Sequence, residues 1–143
     1  MTYTQIITHI KSKLEEIPEV QEYFAHLLGK DQRAKKYPAV IFVPDTVDNE
    51  FSTNKSNHRT MNFRFWVIVN SNNIKNVDIY ERILPNVVDA VLDKFDAGWD
   101  FGTVGGSRAW ARMGSGQWGL SVEEKSVEAW AELVLTVRFD KDI

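Results

Sequence analysis

The stretch that decides the fold is Arg59–Ser71, with the sequence RTMNFRFWVIVNS. One side of this segment, if extended, would carry only apolar residues, namely Met61, Phe63, Phe65, Val67 and Val69. The opposite side would be mixed, with Asn62, Arg64, Trp66, Ile68 and Asn70. A period of two residues over this length, rich in aromatic and β-branched side chains, is typical of a half-buried strand. The sequence therefore predicts a long strand whose uniformly apolar face lies in the core.

A second extended segment, Tyr37–Pro44 (YPAVIFVP), precedes this strand and is apolar on both faces. Such a run is typical of a central strand covered on both sides. Pro38 suits the start of the strand and Pro44 its end, because neither can donate a hydrogen bond to the ladder. The polar segment between the two strands, residues 45–58 (DTVDNEFSTNKSNH), predicts a long loop in a hairpin. Loops of this length are usually functional or disordered.

The first helix is predicted at Tyr3–Glu16. Thr2 and Gln5 fit a capping box, and apolar residues then recur at helical spacing until a proline stops the helix. His9 lies off the apolar stripe and is expected to be exposed. The alternation in the next segment, Val20–Leu28, is less clean, and we interpret it as a short strand.

The second helix is predicted at Asn76–Phe95, where apolar residues form one wide stripe. Asn76 suits the N-cap position. Pro85 removes one backbone hydrogen bond and should kink the helix, although it lies off the stripe and can face solvent. At 1.5 Å per residue the helix would be roughly 30 Å long, enough to cover a small sheet.

Residues 98–119 have an unusual composition, because they contain seven of the eight glycines with Trp99, Trp110 and Trp118 among them. We predict irregular strands with bends or bulges there, and exposed aromatic side chains in such a segment would suit a protein interface. A closing strand of about 14 residues is predicted from Val127, because apolar and mostly polar positions alternate over that length. Ser107–Leu120 is expected to pair with it.

These elements predict a single small α+β domain over residues 1–143. Its sheet would be mostly antiparallel and twisted, with both helices packed on one face, long hairpin strands and extended loops. A strand of 13 residues is over ~40 Å long, whereas the radius of gyration of such a domain is about 14–15 Å. The long strands must therefore bend strongly, as in a coiled monomeric sheet, or overhang the body. An overhanging strand needs a cover for its backbone edge, and another subunit would supply one.

Composition limits the classes of function. The chain has no cysteine, which excludes a disulfide framework, a thiolate metal site and a cysteine nucleophile. Its net charge of −3 makes it a poor electrostatic partner for DNA. The one basic cluster, Lys30–Lys36 (KDQRAKK), fits a solvated loop or a docking site for an acidic partner. No segment is apolar enough to span a membrane and the N-terminus is polar, so synthesis in the cytosol is expected.

No pattern in the sequence predicts catalysis, a cofactor or a metal. Gly105-Gly106 lacks the surrounding residues of a phosphate-binding loop. Asp45, Asp48 and Glu50 lack the glycine and the terminal glutamate of a calcium loop. The histidines fall in three different elements, and His58 can approach a carboxylate only if the fold brings one to the strand entrance. We therefore predict that the protein is not an enzyme and has no catalytic, cofactor-binding or metal-binding residues.

The order of these elements resembles the tail terminator, or tail completion, proteins of long-tailed bacteriophages. The resemblance covers nearly the whole chain and is carried by three segments. These are KYPAVIFVP (Lys36–Pro44), RTMNFRFWVIVN (Arg59–Asn70) and the closing strand AWAELVLTVRFD (Ala129–Asp140), together with the helix between the last two. Members of that family are small α/β subunits that form hexameric rings. The ring caps the tail tube, ends its polymerisation and provides the head-tail joining surface.

The resemblance implies a structural virion protein that is found in the host cytoplasm before assembly. Its partners would be other copies of itself in a hexameric ring, the tail tube protein and the head-completion or connector protein. DNA would pass the lumen without specific binding. By position, loop 45–58 and segment 98–119 would be the assembly arms. The residues predicted at interfaces are Asn49, Phe51, Asn54, Asn62, Arg64, Trp66, Trp99, Trp110 and Trp118.

Two alternatives stay open at this point. The first is another neck or tail-assembly component, because other neck and tail proteins share the small α/β design. The second is a small-molecule-binding module or an enzyme, which would need a pocket with convergent polar groups.

Overall fold

The strand predicted at Arg59–Ser71 is the centre of a seven-stranded sheet in a computed structural model. The structure describes residues 2–29, 32–51, 56–70, 76–104, 107–114, 116–123 and 126–142. Before the central strand come α1 (Tyr3–Glu15), β1 (Glu22–Phe24) and β2 (Ala39–Phe51). The central strand is β3 (Ser56–Asn70), and a long helix of residues 76–97 follows it. The last elements are β4 (Asp100–Val104), β5 (Ser107–Gly114), β6 (Trp118–Glu123) and β7 (Ser126–Asp142).

The sheet is mostly antiparallel, as predicted. Its strand order is β1-β2-β3-β7-β5-β4, and β6 pairs with β7 beside β5. Only the short β1 pairs in parallel, with the start of β2. β7 has 17 residues and pairs with β3 along one side from Glu128 to Asp142, while β6 and then β5 pair with its two halves on the other. The protein is thus a small α+β domain with two helices, and β7 joins the two hairpins into one sheet.

The core lies between one face of the sheet and both helices. The β3 residues predicted to face the core are all buried: Met61, Phe63, Phe65, Val67 and Val69. Phe65 packs against Phe95 of the long helix with ring centroids 5.6 Å apart, and against Phe42 of β2 at 5.2 Å. Leu135 of β7 is also fully buried. The predicted core face is therefore confirmed.

α1 begins with the predicted capping box. Gln5 N–H donates to Thr2 Oγ1 at 3.2 Å, and Thr2 N–H donates to Gln5 Oε1 at 2.7 Å. The prediction that His9 is exposed is wrong, because its ring packs against Phe101 with centroids 4.4 Å apart. Burial is also the main reason that the pKa of His9 is lowered from its ordinary value, and the nearby Lys13 acts in the same direction.

The long helix accommodates Pro85 by a change of helix type. It begins with an α-helical turn, Asn76–Asp78, continues as a π-helix, Ile79–Ile83, and ends as the α-helix Leu84–Ala97. Leu84 N–H bonds to the carbonyl of Ile79, five residues earlier. Pro85 therefore stands in the first turn of an α-helix, where a missing N–H costs least. The predicted role of Asn76 as N-cap concerns a side chain outside those described.

The prediction of a loop at residues 45–58 is wrong over most of that range. β2 continues through Pro44, with a bulge between Pro44 and Thr46, and stays paired with β3 as far as Phe51. The connection is thereby reduced to residues 52–55, which lie outside the described residues. Proline is tolerated here because β1 pairs with β2 only up to Ile41, so Pro44 lies on a strand edge. Polar side chains suit a strand that has left the core.

Segment 98–119 is also mainly sheet rather than a separate arm. β4 pairs with β5 across a bulge between Asp100 and Gly102, and Gly102 has the positive φ of 74°. Between β5 and β6, Gln117 and Glu132 exchange both of their backbone hydrogen bonds, at 3.1 and 2.7 Å. The predicted bends and bulges are confirmed, and pairing with β7 extends to Glu123 rather than ending at Leu120. The Gly105-Gly106 pair lies outside the described residues.

The far end of the β2–β3 hairpin extends past the core. Every β2 residue from Pro44 to Glu50 is exposed, whereas Ala39–Phe42 is buried. The neighbouring ends of β3 and β7 continue the sheet in this direction, down to the pair Ser56–Asp142. The expectation that long strands overhang the body is therefore met by the β2 hairpin.

Candidate functional site

The sheet surface opposite the helices, here called the open face, carries the mixed side of β3. It presents alternate residues of β3, β7 and β5, namely His58, Thr60, Asn62, Arg64, Trp66, Ile68, Trp110, Arg112, Glu132, Val134, Thr136, Arg138 and Asp140. The described side chains between them are buried in the core on β5 and β7 and at Met61–Val67 of β3, whereas Arg59 is half-buried. The open face has charged, aromatic and apolar members, and the helices leave it uncovered. It is therefore the candidate interface.

Asn62 holds three strands together on this face. Its Nδ2 donates to Thr46 Oγ1 of β2 at 2.8 Å. Its Oδ1 accepts from Thr136 Oγ1 of β7 at 2.7 Å. Both ends of the amide are thus satisfied inside the subunit, so Asn62 stabilises the sheet as well as forming part of its surface.

Arg64 is the central charge of the open face. Its Nη2 lies 3.3 Å from Asp45 Oδ2, and its Nε lies 3.6 Å from Glu132 Oε1. The guanidinium carbon is 5.9 Å from the ring centroid of Trp66, within the range of a cation–π contact. The Nε atom is buried and has no hydrogen-bond acceptor among the described residues. Two of the three β3 residues predicted at an interface, Arg64 and Trp66, therefore contact each other directly.

A second group of side chains lies beside them on β5 and β7. Arg108, Trp110 and Arg112 alternate with buried alanines and all point to the open face. Arg138 of β7 is the cross-strand partner of Trp110. The guanidinium of Arg108 is 5.7 Å from the ring of Trp110 and 3.0 Å from Asp100 Oδ2. Of this group only Trp110 was predicted at an interface, although the alternation of arginines in SRAWARM is visible in the sequence.

His58 lies against a carboxylate at the end of the same surface. Its Nδ1 contacts the side chain of Asp140, its cross-strand partner on β7. Together with Trp110 and Arg138, the pair lines a cavity of about 430 Å³. The sequence left this contact undecided, because it depends on the register between strands 82 positions apart. A histidine held at Nδ1 keeps Nε2 for another partner.

The other end of the open face is apolar. Leu27, Ile41, Trp66, Ile68 and Trp130 line a second cavity of about 300 Å³, with Glu128 at its border. Arg33 approaches Glu128 at 3.9 Å. This end differs in chemistry from the end of the open face that carries Arg108, Arg112 and Arg138, here called the arginine-rich end.

Tyr37 provides a pH-dependent contact at this apolar end. Its hydroxyl donates to Glu128 Oε1 at 3.2 Å. Burial, followed by the adjacent Glu128 carboxylate, raises the pKa of Tyr37 to about 12. The folded pKa lies above the unfolded one, so this contribution to stability is complete below about pH 10 and is lost as the pH rises through about 12.

We expect Tyr37 to ionise well after an ordinary tyrosine. In an ultraviolet titration of tyrosinate, Tyr37→Phe should remove a late-titrating component and leave the early ones in place. Tyr23→Phe is the matched control, because the Tyr23 hydroxyl forms no such hydrogen bond among the described residues. Removal of an early component by Tyr37→Phe would contradict the assignment.

The remaining predicted interface residues are not brought together. Asn49 is exposed on the opposite side of the β2 overhang, where its Oδ1 accepts from Arg59 Nε at 3.2 Å. Trp99 and Trp118 are 50% and 53% exposed; the carbonyl of Trp99 accepts from the N–H of Ala111 on β5, whereas Trp118 pairs with Ala131 at the other half of β7. Asn54 and the side chain of Phe51 lie outside the described residues. The nine predicted residues therefore define several surfaces, of which the open face groups four.

Comparison with known proteins adds no assignment, because no family model and no curated protein sequence matches the chain. Within the described residues, no helix is long and apolar enough to cross a membrane. In the same part of the chain, no group of three or more histidine or acidic residues is placed to hold a metal ion.

Proposed function

We propose that this chain is a structural subunit of a ring that closes the tail of a long-tailed bacteriophage. The ring, a hexamer in this proposal, caps the tail tube, ends its polymerisation and provides the surface for head joining. The observation that carries the proposal is the pair of long strands, β2 and β3, which leaves the core and presents polar side chains on both of its sides. Such an extension contributes little to burying a core and is suited to contact with a neighbouring subunit.

The open face supports the same function. Its charged and aromatic residues lie on paired strands, so they form a rigid surface rather than a flexible loop. Arginine and tryptophan are enriched at protein interfaces. In the proposed assembly the subunit lies in the virion tail or neck, contacts the tail tube and connector proteins, and lets DNA pass without specific binding.

Loss of the protein in a phage that encodes it tests the proposal. An early stop codon is expected to give overlong tails without heads, seen by electron microscopy of lysates, and plasmid-supplied protein should restore normal particles. Tails of normal length that fail to join heads would indicate another neck component instead. Normal particles would overturn both roles.

Asn49→Ala is expected to impair assembly without affecting folding. Asn49 is exposed, and its side chain bonds, among the described residues, only to that of the half-buried Arg59, so its loss should change the free energy of unfolding by less than about 0.5 kcal/mol. In the same phage, the variant should yield fewer complete particles. Urea denaturation and particle titre provide the two measurements, and Asn86→Ala on the exposed side of the long helix is the matched control. Equal titres for the two variants would contradict a role for Asn49.

A further inference from the structure

The arginine-rich end of the open face has positive charge that the subunit itself does not neutralise. Arg108 is paired with Asp100, and Asp140 is in contact with His58. Arg112 and Arg138 are exposed and form no ion pair within the described part of the chain. Together with Trp110, which is 36% exposed, they form a basic patch: Arg112, Arg138 and Trp110.

The β2 overhang carries the opposite charge on the same face. Asp48 and Glu50 are the cross-strand partners of Thr60 and His58, so their side chains share the open face with them. Both acidic residues are exposed, and neither has an ion-pair partner among the residues that the structure describes. They form an acidic patch: Asp48 and Glu50.

Among the residues that the structure describes, the two patches form no ion pair with each other inside one subunit. The register runs from Asp48 through Thr60 and Arg138 to Trp110, so β3 and β7 lie between β2 and β5, while β4 lies beyond β5 and pairs with it as far as Trp110. Two strand spacings, about 10 Å, separate β2 from Arg138 on β7, and three, about 14 Å, separate it from Arg112 and Trp110 on β5. An acidic patch on β2 and a basic patch on β5 and β7 are complementary when the acidic patch of one copy approaches the basic patch of the next.

We propose that the acidic patch of one subunit docks on the basic patch of a second copy. Glu50 and Asp48 of one subunit pair with Arg112 and Arg138 of its neighbour, and Trp110 forms the apolar part of the contact. The outer edge of β2 beyond Ile41 has no partner strand among the described residues, so this border is accessible to a neighbour. The contact joins two different patches, and such head-to-tail contacts generate a closed ring or an open filament. The inference deepens the proposed function and rests on its ring.

A second copy fits the basic patch better than a nucleic acid does. Asp140 and Asp100 lie beside the arginines, and the acidic patch is on the same face, so a phosphate backbone lying across this surface would meet negative charge. Two carboxylates from one strand, spaced two residues apart, instead match two arginines on adjacent strands. The net charge of −3 is consistent with a protein partner.

Disulfide trapping tests the contact directly, because the natural chain has no cysteine. The double variant Asp48→Cys, Arg112→Cys is expected to give a ladder of linked copies on non-reducing gels, which collapses to monomer on reduction. The two cysteines of one copy are too far apart to bridge each other, since a disulfide needs Cα atoms within about 7 Å. Asp89→Cys, Arg112→Cys is the matched control, because Asp89 is exposed on the long helix. A ladder in both variants, or in neither, would overturn the proposal.

Charge reversal provides an independent readout in solution. Arg112→Glu with Arg138→Glu should weaken self-association at least about tenfold in sedimentation, because like charges placed in contact cost more than 1.4 kcal/mol. Combination of these changes with Asp48→Lys and Glu50→Lys should restore it. Arg82→Glu, on the exposed side of the long helix, is the control and should have no effect. Failure of the restoring combination would overturn the assigned pairing.

The remaining outcomes separate this inference from its alternatives. If labelled DNA binds and the reversal of the two arginines removes only that binding, the basic patch is a nucleic-acid site and the proposal fails. If trapping and charge restoration succeed while a phage lacking the protein makes normal tails, the subunit contact stands and the proposed function falls.

Discussion

Phe65→Ala is expected to lower the free energy of unfolding by about 3–5 kcal/mol. Phe65 is fully buried at the middle of β3 and contacts the ring of its cross-strand partner, Phe42 of β2, and the ring of Phe95 on the long helix. Truncation removes the apolar surface of the ring and leaves a cavity between the sheet and the helix, which the paired backbone of β3 prevents from closing. Urea denaturation followed by circular dichroism measures the change.

Val47→Ala is the matched control for Phe65→Ala. Val47 also lies on a strand of the same hairpin but is 62% exposed, on the overhang. Its truncation should change stability by less than about 0.5 kcal/mol. If both variants unfold at the urea concentration of the parent, the core has been placed on the wrong side of β3.

Gly116→Ala is expected to destabilise the protein by about 1–3 kcal/mol or more, because it forces extra volume into a closed contact. A Cβ atom at this position would lie 1.3 Å from the carbonyl oxygen of Glu132, which is backbone and cannot rotate away. That same carbonyl accepts the Gln117 N–H bond that joins the junction of β5 and β6 to β7. Relief of the clash therefore requires the junction to move away from β7, with loss of paired backbone.

Gly114→Ala tests whether this cost belongs to the position or to glycine in general. A Cβ at Gly114 would meet the carbonyl oxygen of Val134 at 3.6 Å, an ordinary van der Waals contact. The variant is expected to fold with close to parental stability in the same urea measurement. Equal losses for the two alanines would show that the junction does not have the tight approach described.

The core of the fold was predictable because its signal is local. The alternation in β3 and β7 and the stripe of the long helix each assign a buried face within one segment, and packing then brings these faces together. The capping box at Thr2 was equally readable, since both of its partners lie within four residues. His9 was misjudged because its ring is covered by Phe101, which the sequence places in a distant element.

The extent of the hairpins was not predictable from polarity alone. The polar stretch that begins at Asp45 lacks an apolar face and so resembles a loop, yet strand pairing satisfies its backbone without burying its side chains. The candidate site was predictable to the same extent, because only contacts within one strand can be inferred from the sequence. Arg64 beside Trp66 follows from residues two apart on one strand, whereas His58 beside Asp140 requires the β3–β7 register, which one sequence does not contain.

The central position of β7 has a consequence for how the chain folds. The contact between Asn62 and Thr136 joins residues that are 74 positions apart in the sequence. The whole length of β3 pairs with β7 at comparable sequence separations. Sheets dominated by such distant pairs close slowly, in milliseconds to seconds. Until β7 arrives, the β2–β3 hairpin shows a row of unpaired backbone beside Met61–Val69, which makes it prone to adhere to other unfinished chains. The yield of folded protein in cells should therefore depend on how quickly β7 pairs with the hairpin. A chaperone that binds the hairpin until then would raise that yield.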